Sequence, residues 1–187
     1  MSNSHSKTNL FLIFQILLFV FIFSCSSDNA QSEADLIEQA FPEITNNGNN
    51  LSIQDFKSVG FKSLREYKSV EEIPPLSAAF HGIYKKMDYE LRFYSNHQEA
   101  IGKGSDDAKL VTGKNGIVTG DVPWEDGEKD RRRCSRPPGQ PHSGCNYTSK
   151  YGDFVVFNNV VVMCEGKDEL ESRNTCSNLL SLLITTP

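Results

Sequence analysis

The stretch from Glu90 to His97 holds the residues best suited to chemistry. Tyr89, Leu91 and Phe93 alternate with Glu90, Arg92 and Tyr94, which is strand periodicity. Ser95-Asn96-His97-Gln98 then has the Ser-x-x-Gln form of a capping box and opens a helix over 96–112. Free N–H groups at such a terminus suit an anion, and Arg92 helps if it points the same way. His97 is of the residue type that suits a proton carrier. The plainer account is that Ser95 and Gln98 only cap the helix and His97 is solvated. Arg92, Tyr94 and His97 are the candidate ligand-binding residues. An enzyme would use His97 with Tyr94, Glu90 or Arg92. G-x-S-x-G, H-E-x-x-H and phosphate-loop motifs are absent from the sequence, and His81 and His142 stand alone. No catalytic residue, metal or cofactor is assigned.

The cysteines are Cys25, Cys134, Cys145, Cys164 and Cys176. If Cys25 is set aside for lipid, an even number remains, as an exported protein favours. Three pairings are open, and spacing favours Cys134–Cys145 and Cys164–Cys176. Each closes a loop of about a dozen residues, contributing about 3 kcal/mol in the chain-entropy model. Cys134, His142 and Cys145 also make a C-x7-H-x2-C set. That is not a standard zinc spacing, and it lacks a clear fourth ligand.

The case for Cys25 lies in the first residues. Met1 to Asn9 is polar and carries Lys7, and Leu10 to Phe23 is apolar apart from Gln15. A bilayer span needs about 20 residues, so this run is too short and reads as a secretory signal. Its end, Ile22-Phe23-Ser24-Cys25, resembles a bacterial lipoprotein signal; Ile22, Ser24 and Cys25 match, and Phe23 departs from a position that is usually small. The resemblance implies diacylation of the Cys25 sulfur. Each buried methylene contributes about 0.8 kcal/mol, and two or three chains anchor firmly. Ser26 is not Asp, which favours the outer membrane in a two-membrane cell. The alternative is plain secretion.

The chain has 187 residues, 38% hydrophobic and 23% charged, with a net charge of −5. These values suit one globular domain and argue against wholesale disorder and general nucleic-acid binding. Residues 1–24 are read as signal, 25–34 as tether and 35–187 as one domain.

Ser32-Glu33-Ala34-Asp35 starts a helix limited by Pro42, and 45–50 is a loop. Ser52 caps a short helix from Ile53 to Val59, stopped by Gly60. A strand covers 61–67, Pro74-Pro75 breaks the chain, and 76–84 fits a helix or a strand. In the 96–112 helix, Ala100, Ile101, Gly104, Ala108 and Val111 share a face. Gly104 costs about 1 kcal/mol against Ala, so a close backbone approach is expected there. Residues 114–150 read as a long surface loop tethered by a disulfide, with a short charged helix between Trp124 and Arg133. The loop between Cys134 and Cys145 has three prolines and follows Arg131-Arg132-Arg133. Stiffened in this way, it suits presentation to a partner.

YGDFVVFNNVVVMCEG, from Tyr151 to Gly166, reads as a hairpin turning at Asn158-Asn159. One face carries Val155, Phe157, Val160, Val162 and Cys164; the other carries Phe154, Val156, Val161 and Met163. A helix over 168–183 presents Cys176, Leu179, Leu180 and Leu183, so a Cys164–Cys176 bond puts it on the first face. The second face is too apolar to be wet. Either N-terminal segments cover it, or it is a groove or partner surface.

YELRFYSNHQEAIGKG, DRRRC and YGDFVVFNNVVVMCEG together resemble a family of uncharacterised bacterial exported domains of unknown function, over about residues 52–183. The resemblance implies that Tyr94, His97, Ala100 and the four later cysteines are family features. It brings no activity, substrate or cofactor.

The expected fold is α+β, a small antiparallel or mixed sheet with helices packed mainly on one face. The expected protein is a lipid-anchored, exported binding or interaction module of the cell envelope. Its partners are the membrane, through Cys25, and an envelope protein or a small ligand. The alternative is an extracytoplasmic enzyme or small-ligand binder working at Tyr94 and His97.

Overall fold

A computed structural model describes residues 40–134 and 147–185. The Cys25 anchor, the helix start at Ser32, His142 and Cys145 lie outside these residues. Cys134 is disulfide-bonded.

Strands β1 (Ile44–Thr45), β2 (Lys62–Glu66), β3 (Leu76–Tyr84), β4 (Met87–Tyr94), β5 (Tyr151–Phe157) and β6 (Val160–Glu165) form one mixed sheet. Their order is β1-β5-β6-β4-β3-β2. β1 runs parallel to β5, and every other neighbouring pair is antiparallel. The fold is therefore α+β.

The hairpins follow from local chemistry. Lys85 and Lys86 both take positive φ and turn β3 into β4. Asn158, at φ 55°, turns β5 into β6. Asn tolerates this conformation because its short polar side chain bonds locally. The asparagine pair also ties in the N-terminal segment. Asn158 Nδ2 donates to Asn47 Oδ1 at 2.7 Å, and Asn159 Oδ1 accepts from the Leu51 N–H at 2.7 Å. Residues 76–84, open between helix and strand on sequence alone, are strand. A register shift between Leu76 and Ala78 breaks the alternation that would have announced it.

Helix α1 (Ile53–Ser58) starts at Ser52, whose N–H and hydroxyl both donate to Asp55 Oδ2. Helix α2 runs through three consecutive pieces, His97–Glu99, Ala100–Gly104 and Ser105–Lys109, and the middle piece is a π-helical turn. Its cap is Asn96 rather than Ser95. Asn96 Oδ1 accepts from the Glu99 N–H at 3.0 Å, and Glu99 accepts from the Ser95 N–H. The box is thus shifted by one residue, and Gln98 takes no part in these bonds. Helix α3 (Glu128–Arg131) is one turn, and α4 (Glu169–Thr185) closes the described chain.

The sheet is buried on both sides, which corrects the expectation of helices mainly on one face. On one side α4 sets Cys176, Leu179 and Leu180 against Val155, Val162 and Cys164, and Phe41 and Phe56 complete the cluster. The Cys164–Cys176 disulfide is present. On the other side lie Phe154, Val156, Val161 and Met163, the face left open by the sequence. They are covered by Ala100, Ala108 and Val111 from around α2, with Tyr67 and Trp124. Ile73 and Leu76, from the N-terminal half of the chain, join this cover. A strand apolar on both faces requires two covering layers. A Cβ at Gly104 would stand 2.8 Å from Tyr94 Cζ and 2.9 Å from Val161 Cγ2, so the close approach is real.

The long 114–150 loop is corrected in part. Within it Val118, Trp124 and Arg131 are buried, so the stretch leading to α3 crosses the sheet as a covering layer. An indole and a guanidinium on one short crossing can cover the polar middle of β4 and satisfy it at once.

Candidate functional site

Every second residue of β4 faces the layer made by α2 and the 118–131 crossing. In that layer Glu90 and Arg92 are fully buried and ion-paired through Arg92 Nε at 2.8 Å. Arg131 Nε donates to the other Glu90 oxygen at 2.9 Å. Arg131 also donates to the carbonyls of Trp124 and Asp126 at 2.9 and 2.7 Å. Its guanidinium lies 4.7 Å from the Trp124 ring centre, and that of Arg92 lies 5.3 Å away, a favourable setting for a cation. Burial alone raises a carboxyl, but Arg131 and Arg92 more than offset it and hold Glu90 below its usual range. Burial likewise opposes the charge of Arg92, and Glu90 reverses the effect. Both groups are fixed charges.

Above Arg92 opens a pocket of about 280 Å³. One wall is α2, which contributes Lys103 and Asp107 from its π-helical turn and the turn after it. The chain before β3 contributes Glu72, Ile73 and Pro74. Trp124 and Pro123 come from the crossing, and Leu110 and Val111 from the end of α2. Lys103 pairs with Asp107 Oδ1. Two buried polar atoms of the lining have no protein partner, Arg92 Nη2 and Asp107 Oδ2. The Tyr94 side chain, in the same buried layer, interacts with Arg92. Burial pushes Tyr94 up to about 12, with Arg92 opposing. Native folds rarely leave buried polar groups unpaired, and ordered water commonly satisfies such atoms.

The structure brings Arg92 and Tyr94 into one layer but sends His97 elsewhere. His97 Nδ1 is hydrogen-bonded to the Asn158 carbonyl, so the imidazole locks α2 to the β5–β6 turn. His81 pairs with Asp88 at 3.1 Å, and Lys150 Nζ reaches the other Asp88 oxygen at 2.7 Å. Asp88 is drawn down to about 2, chiefly by the His81 hydrogen bond, with Lys150 assisting against burial. Among the described residues there is no group of three or more His, Cys, Asp and Glu placed to hold a metal ion. There too, no helix is long and apolar enough to cross a membrane.

Residues 52–185 match the model of a family of unknown function, DUF6810. The chain belongs to that family. No curated protein and no solved structure matches it. The DUF6810 span runs from α1 to the end of α4 and contains the whole pocket lining, from Glu72 to Trp124. β1, at Ile44–Thr45, precedes it.

Several residues of this DUF6810 site escape sequence reasoning. Arg131 and its neighbours read as a basic flank on a solvated loop, and Trp124 as the start of a short charged helix. A lone tryptophan beside a charged run was the available signal, because so large an apolar surface seeks burial. Lys103 and Asp107 carry no signal of their own in the chain.

Proposed function

We propose that this protein is a lipid-anchored component of the cell envelope whose DUF6810 domain binds a small ligand without transforming it. One observation carries the binding reading: a cavity of about 280 Å³ whose lining sets Glu72, Arg92, Lys103 and Asp107 among Ile73, Leu110 and Trp124. A few charged groups set among apolar side chains in a concave site suit a small ligand. The fixed charges of Arg92 and Glu90 suit holding rather than proton transfer, which needs a group titrating near the working pH. At about 280 Å³ the pocket suits a small molecule and not a polymer. The apolar hairpin face is covered and offers no partner surface. The anchor rests on Ile22, Ser24 and Cys25.

Two measurements test this proposal. Native mass spectrometry of the protein purified from its own cells is expected to show an acylated Cys25 and a retained small molecule. Leu110→Trp, at the exposed rim, is expected to lose that molecule. A ligand-free protein that no fraction of a cell extract stabilises overturns the binding reading. Cys25→Ala is expected to move the protein out of the membrane fraction, and unchanged fractionation overturns the anchor.

A further inference from the structure

Four lysines converge at one corner of the sheet. Lys85 and Lys86 form the β3–β4 turn, and Lys62 opens β2 opposite Ile83 of β3. That register sets Lys62 one strand across and two residues along from Lys85, about 8 Å between backbones. Lys57 is in the last turn of α1, and Gly60, whose N–H donates to the Lys57 carbonyl, lies beside the Tyr84 ring. All four lysines are exposed. None forms an ion pair with a described residue. Lys85 Nζ lies 5.2 Å from the centre of the Tyr84 ring. Lys85 and Lys86 also hold φ of 48° and 71°, where Asn or Gly serves a two-residue turn better. A local rule broken without a structural gain is expected where a residue has a function.

The acidic side chains at this end of the sheet are engaged. Asp88 is held by His81 and Lys150, Glu165 accepts from the Asp88 N–H at 2.8 Å, and Asp55 accepts from Ser52. Glu43 and Glu169 flank Arg173 at 3.7 Å, on the β5 side. The net charge of −5 is spread over the molecule, and screening limits each charge to about 10 Å at 0.1 M salt. The lysines therefore set the field at their corner.

The same end of the sheet receives the chain that comes from Cys25. β1 is parallel to β5, and just before it the Phe41 carbonyl accepts from Arg173, which also pairs with Asp153 near the start of β5. The starts of β5, β4 and β2 and the end of β3 all lie at that end. Four strand spacings separate β5 from β2, about 19 Å. Fourteen residues separate Cys25 from Ala40, a reach of at most about 50 Å. An acylated Cys25 thus keeps the corner near a bilayer, and tethering raises the effective concentration enough for a weak patch to engage. Tyr84, half-buried beside Lys85, is of a type that settles at a headgroup interface.

We infer that the corner of Lys57, Lys62, Lys85 and Lys86 docks on the anionic phospholipid headgroups of the membrane that holds the anchor. This rests on Cys25 being acylated.

The test places the protein purified from its own cells in two sets of vesicles, phosphatidylcholine alone and an equal mixture of phosphatidylcholine and phosphatidylglycerol. Lysines are acetylated with a membrane-impermeant reagent and read by peptide mass spectrometry, which also weighs Cys25. On the anionic vesicles the four lysines are expected to be protected. Lys68, beyond the far end of β2, and Lys103, beside the Gly104 contact with Tyr94, are exposed and should react fully. Protection should vanish on phosphatidylcholine and in high salt. Each lysine contributes about fivefold in such a field, so Lys85→Asn with Lys86→Asn should weaken docking about 25-fold and leave Lys57 and Lys62 reactive. Asn tolerates positive φ, so the turn is kept. Equal labelling of the four on both vesicles, with Cys25 acylated, overturns the inference and leaves the anchor standing. If Cys25 carries no lipid, the anchor reading falls. Sedimentation of that protein with the anionic vesicles, lost in the double variant, then sustains the docking, and its absence overturns it.

Discussion

Arg131 Nε donates to Glu90 Oε2 at 2.9 Å across 41 residues of sequence, and neither side chain is exposed to solvent. This contact pins the 118–131 crossing to the middle of the sheet. Arg92 holds the other Glu90 oxygen, so one carboxylate compensates two buried guanidiniums. Glu90→Gln removes that compensation and leaves both cations buried. Breaking a buried ion pair from one side costs about 3–5 kcal/mol. Urea unfolding followed by tryptophan fluorescence should show a loss of that order. A change below about 1 kcal/mol would mean the triad is not a structural anchor.

The acid limb of stability should depend on Asp88. Its hydrogen bond with His81, burial working against it, and the bond from Lys150 place its pKa at about 2, against a usual 3.8. A carboxylate depressed in the fold stabilises above its unfolded pKa and loses that contribution as pH falls through its folded one. Asp88→Asn should therefore be less stable than the native chain at neutrality. The gap should close as pH falls from about 4 to about 2. Parallel stability curves across that window would show that Asp88 contributes no linked protons.

Ionisation of the buried tyrosines should be tied to alkaline unfolding. Burial, the largest cause in each case, pushes Tyr67, Tyr89 and Tyr151 well above the ordinary phenol value and Tyr94 up to about 12. Groups whose pKa is raised by folding stabilise fully below the unfolded pKa and lose that contribution as pH rises above it. Phenolate absorbance from these four should therefore appear only with alkaline unfolding, monitored in parallel by circular dichroism. Complete ionisation of every tyrosine near pH 10, with the fold intact, contradicts the burial described above.

Gly104→Ala sets helix propensity against packing. The substitution gains about 1 kcal/mol in an unconstrained helix. Here the new Cβ would stand under 3 Å from Tyr94 and Val161. Overpacking of this kind costs about 1–3 kcal/mol, so a net loss of stability is expected. Tyr94 and the α2 wall of the pocket would shift with it. A melting temperature above that of the native chain would show that the helix lifts freely from the sheet.

Much of the secondary structure could be read from local pattern. The two faces of the β5–β6 hairpin, α4 with its Cys176, Leu179 and Leu180 stripe, and the Cys164–Cys176 bond all follow from period and spacing. Gly104 announced its close approach because a glycine between alanines has no other use in that helix. The strand over 76–84 stayed ambiguous because a register shift interrupts its alternation. For the site, Arg92 and Tyr94 were legible as candidates, but His97 belongs to the hairpin turn and Asp107 carried no signal of its own.

The sequence by itself determined where apolar surface must go, because hydrophobic period and turn chemistry act over a few residues. It also showed that both faces of the 151–166 hairpin are too apolar to stay wet. Only the tertiary structure decided what that cover would be, and therefore where the charges meet. Arg131 and Trp124 look solvated in the chain and become buried when the crossing docks on Glu90. The Arg92–Asp107 pocket forms where that crossing, α2 and the 72–74 turn converge on β4. Charge pairing of this kind depends on distances in space, which residue order does not encode locally.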